Sequence, residues 1–125
     1  MTNTEFKKGL EKRTLDFSVR LLNHLGALPN KCVFWLIVNQ LGRSGTSIGA
    51  NYREANRAES KADFIHKIGI AEKESSETVY WLTVLSELQI LPSTLITENT
   101  ALQKEANEIL SLFSAINCTA KKNRS

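Results

Sequence analysis

Prolines interrupt this 125-residue chain at only two places, Pro29 and Pro92. A proline inside a helix removes a backbone hydrogen bond and clashes with the preceding turn. The long stretches between these breakers are therefore free to stay helical, and their apolar residues recur at helical spacing. Phe64, Ile68, Ala71, Ser75, Thr78, Leu82 and Leu85 alternate steps of four and three along one seam, the periodicity of a helix buried in a bundle. No stretch shows the strict alternation of a half-buried strand.

Three more segments read the same way. In the first, Phe6, Leu10, Phe17, Leu21, Leu25 and Leu28 form the stripe, widened by Leu15, Val19 and Leu22. Gly26 and the pair Pro29–Asn30 end it. The second runs from about Lys31 to Arg57. Its opening run, CVFWLIV at 32–38, is apolar all round, so that end is expected to be the most deeply buried. The third starts at Ser60, an N-cap with Asp63 three residues on in a variant of the capping box. The fourth starts between Ser93 and Thr97 and carries Leu102, Ala106, Ile109, Phe113, Ile116 and Ala120 at steps of four and three. Short connectors make successive helices antiparallel, so the expected fold is all-α, an up-down-up-down four-helix bundle over residues 1–120. Residues 121–125 form a basic tail with nothing to bury, expected to be disordered.

The GTSIG stretch at 45–49 matches G-x-S-x-G, the nucleophile elbow of α/β-hydrolases. An elbow needs a preceding strand, a large sheet, and an acid and a histidine downstream. His66 is the sole histidine after Ser47, and no parallel-sheet pattern surrounds the motif. The helical reading accounts for the residue types better. Gly42, Gly45 or Thr46, Gly49 and Ala50 give the second helix a face almost without side chains. Mid-helix glycine costs ~1 kcal/mol relative to alanine, so this bare face calls for a closely packed neighbour. Ser47 is then a packing or hydrogen-bonding serine, and the chain is not an enzyme.

Glu54, Glu74 and Glu77 raise the question of a di-iron site. Such a site needs two Glu-x-x-His pairs and two further glutamates. Asp63-x-x-His66 is the one comparable pair, so no metal or other cofactor is expected. The glutamates are read instead as partners of Arg43, Arg53 or Asn51 at a helix–helix or subunit contact. Trp35, Tyr80 and Trp81 are read as core or interface aromatics.

The N-terminal MTNTEFKKGLEKRT lacks an apolar signal-peptide core, and the longest apolar run falls far short of the ~20 residues of a membrane span. The expected location is cytosolic, with no membrane association, and Cys32 and Cys118 are expected to be free thiols, buried or half-buried. Net charge is +3, unevenly spread: residues 1–57 hold nine Lys or Arg against four acids, and residues 58–125 seven against nine. Lys7, Lys8, Lys12, Arg13 and Arg20 on the first helix, with Arg43, Arg53 and Arg57 on the second, are the candidate contacts to nucleic acid.

LGRSGTSIGANYREA, followed by SKADFIHKIGIAEKESSETVYWLTVL and EANEILSLFSAI, closely resembles the family of four-helix bundle proteins encoded by intervening sequences of bacterial 23S rRNA genes. The resemblance runs from about Phe17 to Ile116. It marks Ser47, Asn51, Glu54, Asp63, Phe64, Ala71, Glu74, Glu77, Trp81 and Leu82 as signature positions. Ala55 departs from it, since many members carry glycine there. The fold is also similar to the accessory variability determinant of diversity-generating retroelements, a bundle that forms a pentameric ring and contacts nucleic acid and a reverse transcriptase. The resemblance thus implies a non-catalytic homo-oligomer, a pentamer, that binds RNA or DNA, with a reverse transcriptase as partner by analogy. The alternative is a protein-interaction scaffold that has no direct contact with nucleic acid.

Overall fold

A computed structural model describes residues 2–123, with 87% of the chain helical and no strand among the described residues. Four long helices carry the fold: α1 (Asn3–Gly26), α2 (Cys32–Asn56), α3 (Lys61–Glu87) and α4 (Ile96–Lys122), with a short 3₁₀ turn at Ser93–Leu95 leading into α4. At 1.5 Å per residue each helix is ~36–40 Å long. Helix α4 continues two residues past Ala120, where the tail was expected to begin. Residues 124 and 125 of that tail lie outside the described residues.

Local chemistry sets the helix ends. Thr2 caps α1 in a full capping box: its hydroxyl accepts from the Glu5 amide, and the Glu5 carboxylate accepts from the Thr2 amide. Ser60 caps α3 by accepting from the Asp63 amide at 3.1 Å. Both arrangements satisfy amides that a helix N-terminus otherwise leaves unpaired.

Cross-helix contacts fix the topology. Across each contact one sequence rises as the other falls. Ser44 pairs with Thr78 but Glu54 with Lys67, Glu72 pairs with Asn117 but Leu82 with Asn99, and Arg13 pairs with Glu105 but Arg20 with Glu98. Glu11 near the start of α1 meets Asn56 at the end of α2. Each helix thus runs antiparallel to its two neighbours, and α4 closes the bundle against α1. The seam from Ile68 to Leu85 is buried throughout, as are Leu102, Ala106, Ile109 and Phe113 on α4. Phe17, Leu21, Leu25, Phe34, Ile37, Leu41, Ile48 and Tyr52 supply the α1–α2 half of the core.

Three expectations fail. Cys32 and Cys118, expected to be buried or half-buried, are free and exposed. Leu15, Val19 and Leu22 do not widen the core stripe of α1; they are 48%, 52% and 50% exposed. The buried row through Phe17 and Leu21 points at α2 and α4, and this second row is rotated out of the arc those neighbours cover. Nor is the opening of α2 the most deeply buried end. Phe34 and Ile37 are buried there, but Val33, Trp35 and Leu36 are exposed, because helices flank α2 on only part of its circumference. Trp35 satisfies its indole N–H with the side-chain oxygen of Asn30 at 2.7 Å.

The bare face of α2 receives α1. A Cβ on Gly45 would overlap Leu21 Cδ2, and one on Gly49 would lie 3.1 Å from Thr14 Oγ1 and 3.5 Å from its backbone carbonyl carbon. Gly42 has ordinary contact distances to Leu25, whereas Gly69 on α3 faces open space. Helix propensity therefore governs Gly69, and packing governs Gly45. Gly69→Ala should raise stability by up to ~1 kcal/mol. Gly45→Ala should lower it by about 1 kcal/mol net, since overpacking costs ~1–3 kcal/mol. Urea midpoints of the two variants should move in opposite directions; a shared sign would contradict this division of roles.

Candidate functional site

Ser47 lies in the middle of α2, two turns from its end. Its hydroxyl donates to the Arg43 carbonyl at 2.6 Å, the ordinary i−4 bond of a helical serine. The strand and sharp bend that an elbow requires are missing, so GTSIG is a helical stretch. Asn51 repeats the pattern, with its amide nitrogen donating to the Ser47 carbonyl at 2.8 Å.

Several signature residues meet across α2 and α3. Arg43 reaches from α2 to Glu74 at 2.9 Å and to Glu77 in a second close ion pair. Glu74 is nearly buried, and Arg43 is half exposed at 52% of its side chain. The hydrogen bond to Glu77, reinforced by the charge of Glu74, holds the Arg43 guanidinium above its ordinary pKa. Glu54, expected to take an arginine or Asn51, lies 3.7 Å from Lys67 instead. Trp81 and Phe64 are half-buried against the core, and the exposed Tyr80 ring meets Trp81 edge-on at 5.2 Å. Asp63 sits in the first turn of α3 as part of its cap. These positions therefore hold α2 to α3, and they present no nucleophile, base and acid in reach of one another.

The eight candidate cations divide into two groups. Arg13 bridges Glu105 and Glu108, Arg20 binds Glu98 at 2.8 Å, Arg43 binds the two α3 glutamates, and Lys12 pairs with Asp16 one turn along α1. Hydrogen bonds to Glu105 and Glu98 raise the pKa of Arg13 and Arg20 respectively. These arginines fasten α1 to α4 and α2 to α3, so their charge is largely neutralised in place. Lys7, Lys8, Arg53 and Arg57 form no ion pair among the described residues. Because successive helices are antiparallel, the start of α1, the end of α2, the start of α3 and the end of α4 share one pole. Lys61, Lys121 and Lys122 join the four unpaired cations there.

Sequence reasoning missed the buried amides. His24 and Asn99 are both almost fully buried, with His24 Nε2 2.9 Å from Asn99 Oδ1. The Asn99 nitrogen donates to the Leu82 carbonyl at 3.2 Å, so its oxygen faces the ring and His24 carries its proton on Nε2. One asparagine thereby ties α1, α3 and α4 together. At the basic pole, Asn56 donates to Glu11 at 2.9 Å, and burial pushes the neighbouring Tyr52 hydroxyl above its usual pKa. Thr78 and Ser44 bring their hydroxyls to 3.0 Å inside the α2–α3 interface. Short polar residues at buried seam positions were the one available signal: Ser75 and Thr78 already stood in the α3 stripe.

The fold and these pairings define a helical-bundle protein whose polar residues serve to assemble the bundle. Residues 10–115 match the family described as 23S rRNA-intervening sequence protein, and the chain belongs to that family. It is also similar to a crystal structure of a protein of unknown function from the S23 ribosomal protein family of Bacteroides thetaiotaomicron. The two chains share 37% identity over 89% of this chain and 96% of the other, with a TM-score of 0.78. No curated protein matches the chain. No helix among the described residues is long and apolar enough to cross a membrane.

The Arg43–Glu74 pair should be measurable in a double-mutant cycle of Arg43→Met and Glu74→Gln. The expected coupling is about 1 kcal/mol or less, since solvent screens the half-exposed arginine. Zero coupling would mean that the pair adds nothing to the α2–α3 contact.

Proposed function

We propose that the protein is a non-catalytic homo-oligomer that binds nucleic acid through the basic pole of its bundle. One observation carries this reading: of the ten described Lys and Arg that form no ion pair, seven gather at one end, while Lys31, Lys73 and Lys104 lie elsewhere. Lys7, Lys8, Arg53, Arg57, Lys61, Lys121 and Lys122 come from all four helices, although they are scattered through the sequence. The acids at that pole are fewer, five in all: Glu5 is held in the α1 cap, Glu11 is bonded to Asn56, Glu54 lies beside Lys67, and Glu59 and Asp63 flank the start of α3. Arg13, Arg20 and Arg43, also expected to contact nucleic acid, are better placed to hold the helices than to meet phosphates, and Lys12 is paired with Asp16 on its own helix.

Self-association is supported by the exposed row Leu15, Val19 and Leu22. Leu22 Cδ2 also lies beside Gly42, so the row borders the small-residue face of α2. Contiguous apolar rows of this kind mark contact surfaces. Copies joined by their flanks in a closed ring would point their basic poles the same way and bind a polyanion with added avidity. A pentamer fits the resemblance noted from the sequence. The same exposed row favours the second reading, a scaffold that presents this surface to another protein.

Two measurements test the proposal. Binding to structured RNA should weaken steeply as salt rises, and Lys8→Glu with Arg57→Glu should cut both affinity and the salt slope, each lost phosphate contact reducing that slope by about 1. Flat binding across salt, or none, would leave the scaffold reading. The solution mass should exceed that of one chain, and Val19→Asp with Leu22→Asp should reduce it while leaving the helical content intact. An unchanged mass would place the subunit contact elsewhere.

A further inference from the structure

At the basic pole, where all four helices meet, the bundle opens into a groove of about 470 Å³. Small-molecule sites fall in the range of roughly 300–1,000 Å³, so one flat ring system has ample room. Phe6 and Phe64 line it with Tyr52, whose ring lies edge-on to Phe113 at 5.3 Å, and Lys7 and Lys61 stand among its walls. Phe6 is 38% exposed, so its ring is open to the groove. Asn56 in the wall is already engaged, its nitrogen donating to Glu11 at 2.9 Å.

Aromatic walls and flanking ammonium groups are complementary to a single chemical unit. Resting on the nucleic-acid reading above, we propose that this groove takes one unpaired nucleotide of a bound strand. The base enters between Phe6 and Phe64, and its phosphates lie against Lys7 and Lys61. Every base presents a flat face to aromatic walls, so stacking favours none of the four. In a duplex those faces are already stacked on their neighbours. The groove therefore selects unpaired over paired nucleic acid through a physical difference, independent of sequence. The carboxylate of Glu11 does not oppose this, because the Asn56 nitrogen already engages it.

The test uses the full chain and an RNA hairpin with 2-aminopurine in its loop, against a fully paired duplex of the same length that carries the same base. Loop RNA should bind about 5- to 100-fold more tightly than duplex, the range expected for one stacked base. The loop fluorophore should be quenched on binding. Phe6→Ala, and Ala115→Trp to fill the groove from α4, should each erase the preference and the quenching while leaving duplex binding and its salt slope unchanged. Equal affinity for loop and duplex, with salt-dependent binding retained and both variants silent, would overturn the groove proposal and leave the basic pole standing. Absence of binding to either RNA at low salt would overturn both.

Discussion

The close seating of α1 on α2 is the constraint on which the rest of the bundle depends. Gly45 and Gly49 remove side chains where Leu21 and Thr14 arrive, so the two helices meet at a distance that a Cβ would prevent. Helix propensity alone argues against glycine at both positions, so the contact has to supply what the residues give up locally. Once α1 is seated, Phe17, Leu21 and Leu25 are directed inward, and the row through Leu15, Val19 and Leu22 is left outside. One packing decision thus produces both a buried face and an exposed one.

Polar pairs then choose among the ways four greasy helices could assemble. Apolar stripes tolerate sliding and rotation; a buried hydrogen bond does not, because a slipped register leaves its atoms unpaired at a cost of ~1–3 kcal/mol each. Asn99 joins three helices, Arg43 clamps α2 to α3, and Arg13 and Arg20 clamp α1 to α4. The charges with structural work are thereby withdrawn from the surface field. Seven of the ten described cations outside the ion pairs lie at one end.

Much of this was legible in the residues. The α3 seam, the breaks at Pro29 and Pro92, the Ser60 cap and the helical nature of GTSIG all follow from local rules of spacing and backbone geometry. The Arg43 link to Glu74 and Glu77 was legible as well, since charges near a small-residue face need partners. Exposure was harder to read. Leu15, Val19, Leu22, Trp35 and Leu36 are as apolar as their buried neighbours, and only the rotation of each helix about its own axis separates them. Asn56 and Asn99 escaped notice because an asparagine on a helix is commonplace until tertiary structure closes around it.

Four antiparallel helices, being an even number, return the polypeptide to the end at which it set out. The first turn of α1 and the last turn of α4 therefore frame the same opening, where Asn3 and Asn123 both border the groove. Any affinity handle or fluorescent fusion attached to either terminus would stand in that doorway and obstruct its traffic. A label placed on the connector between α3 and α4, at the opposite end, would leave it clear.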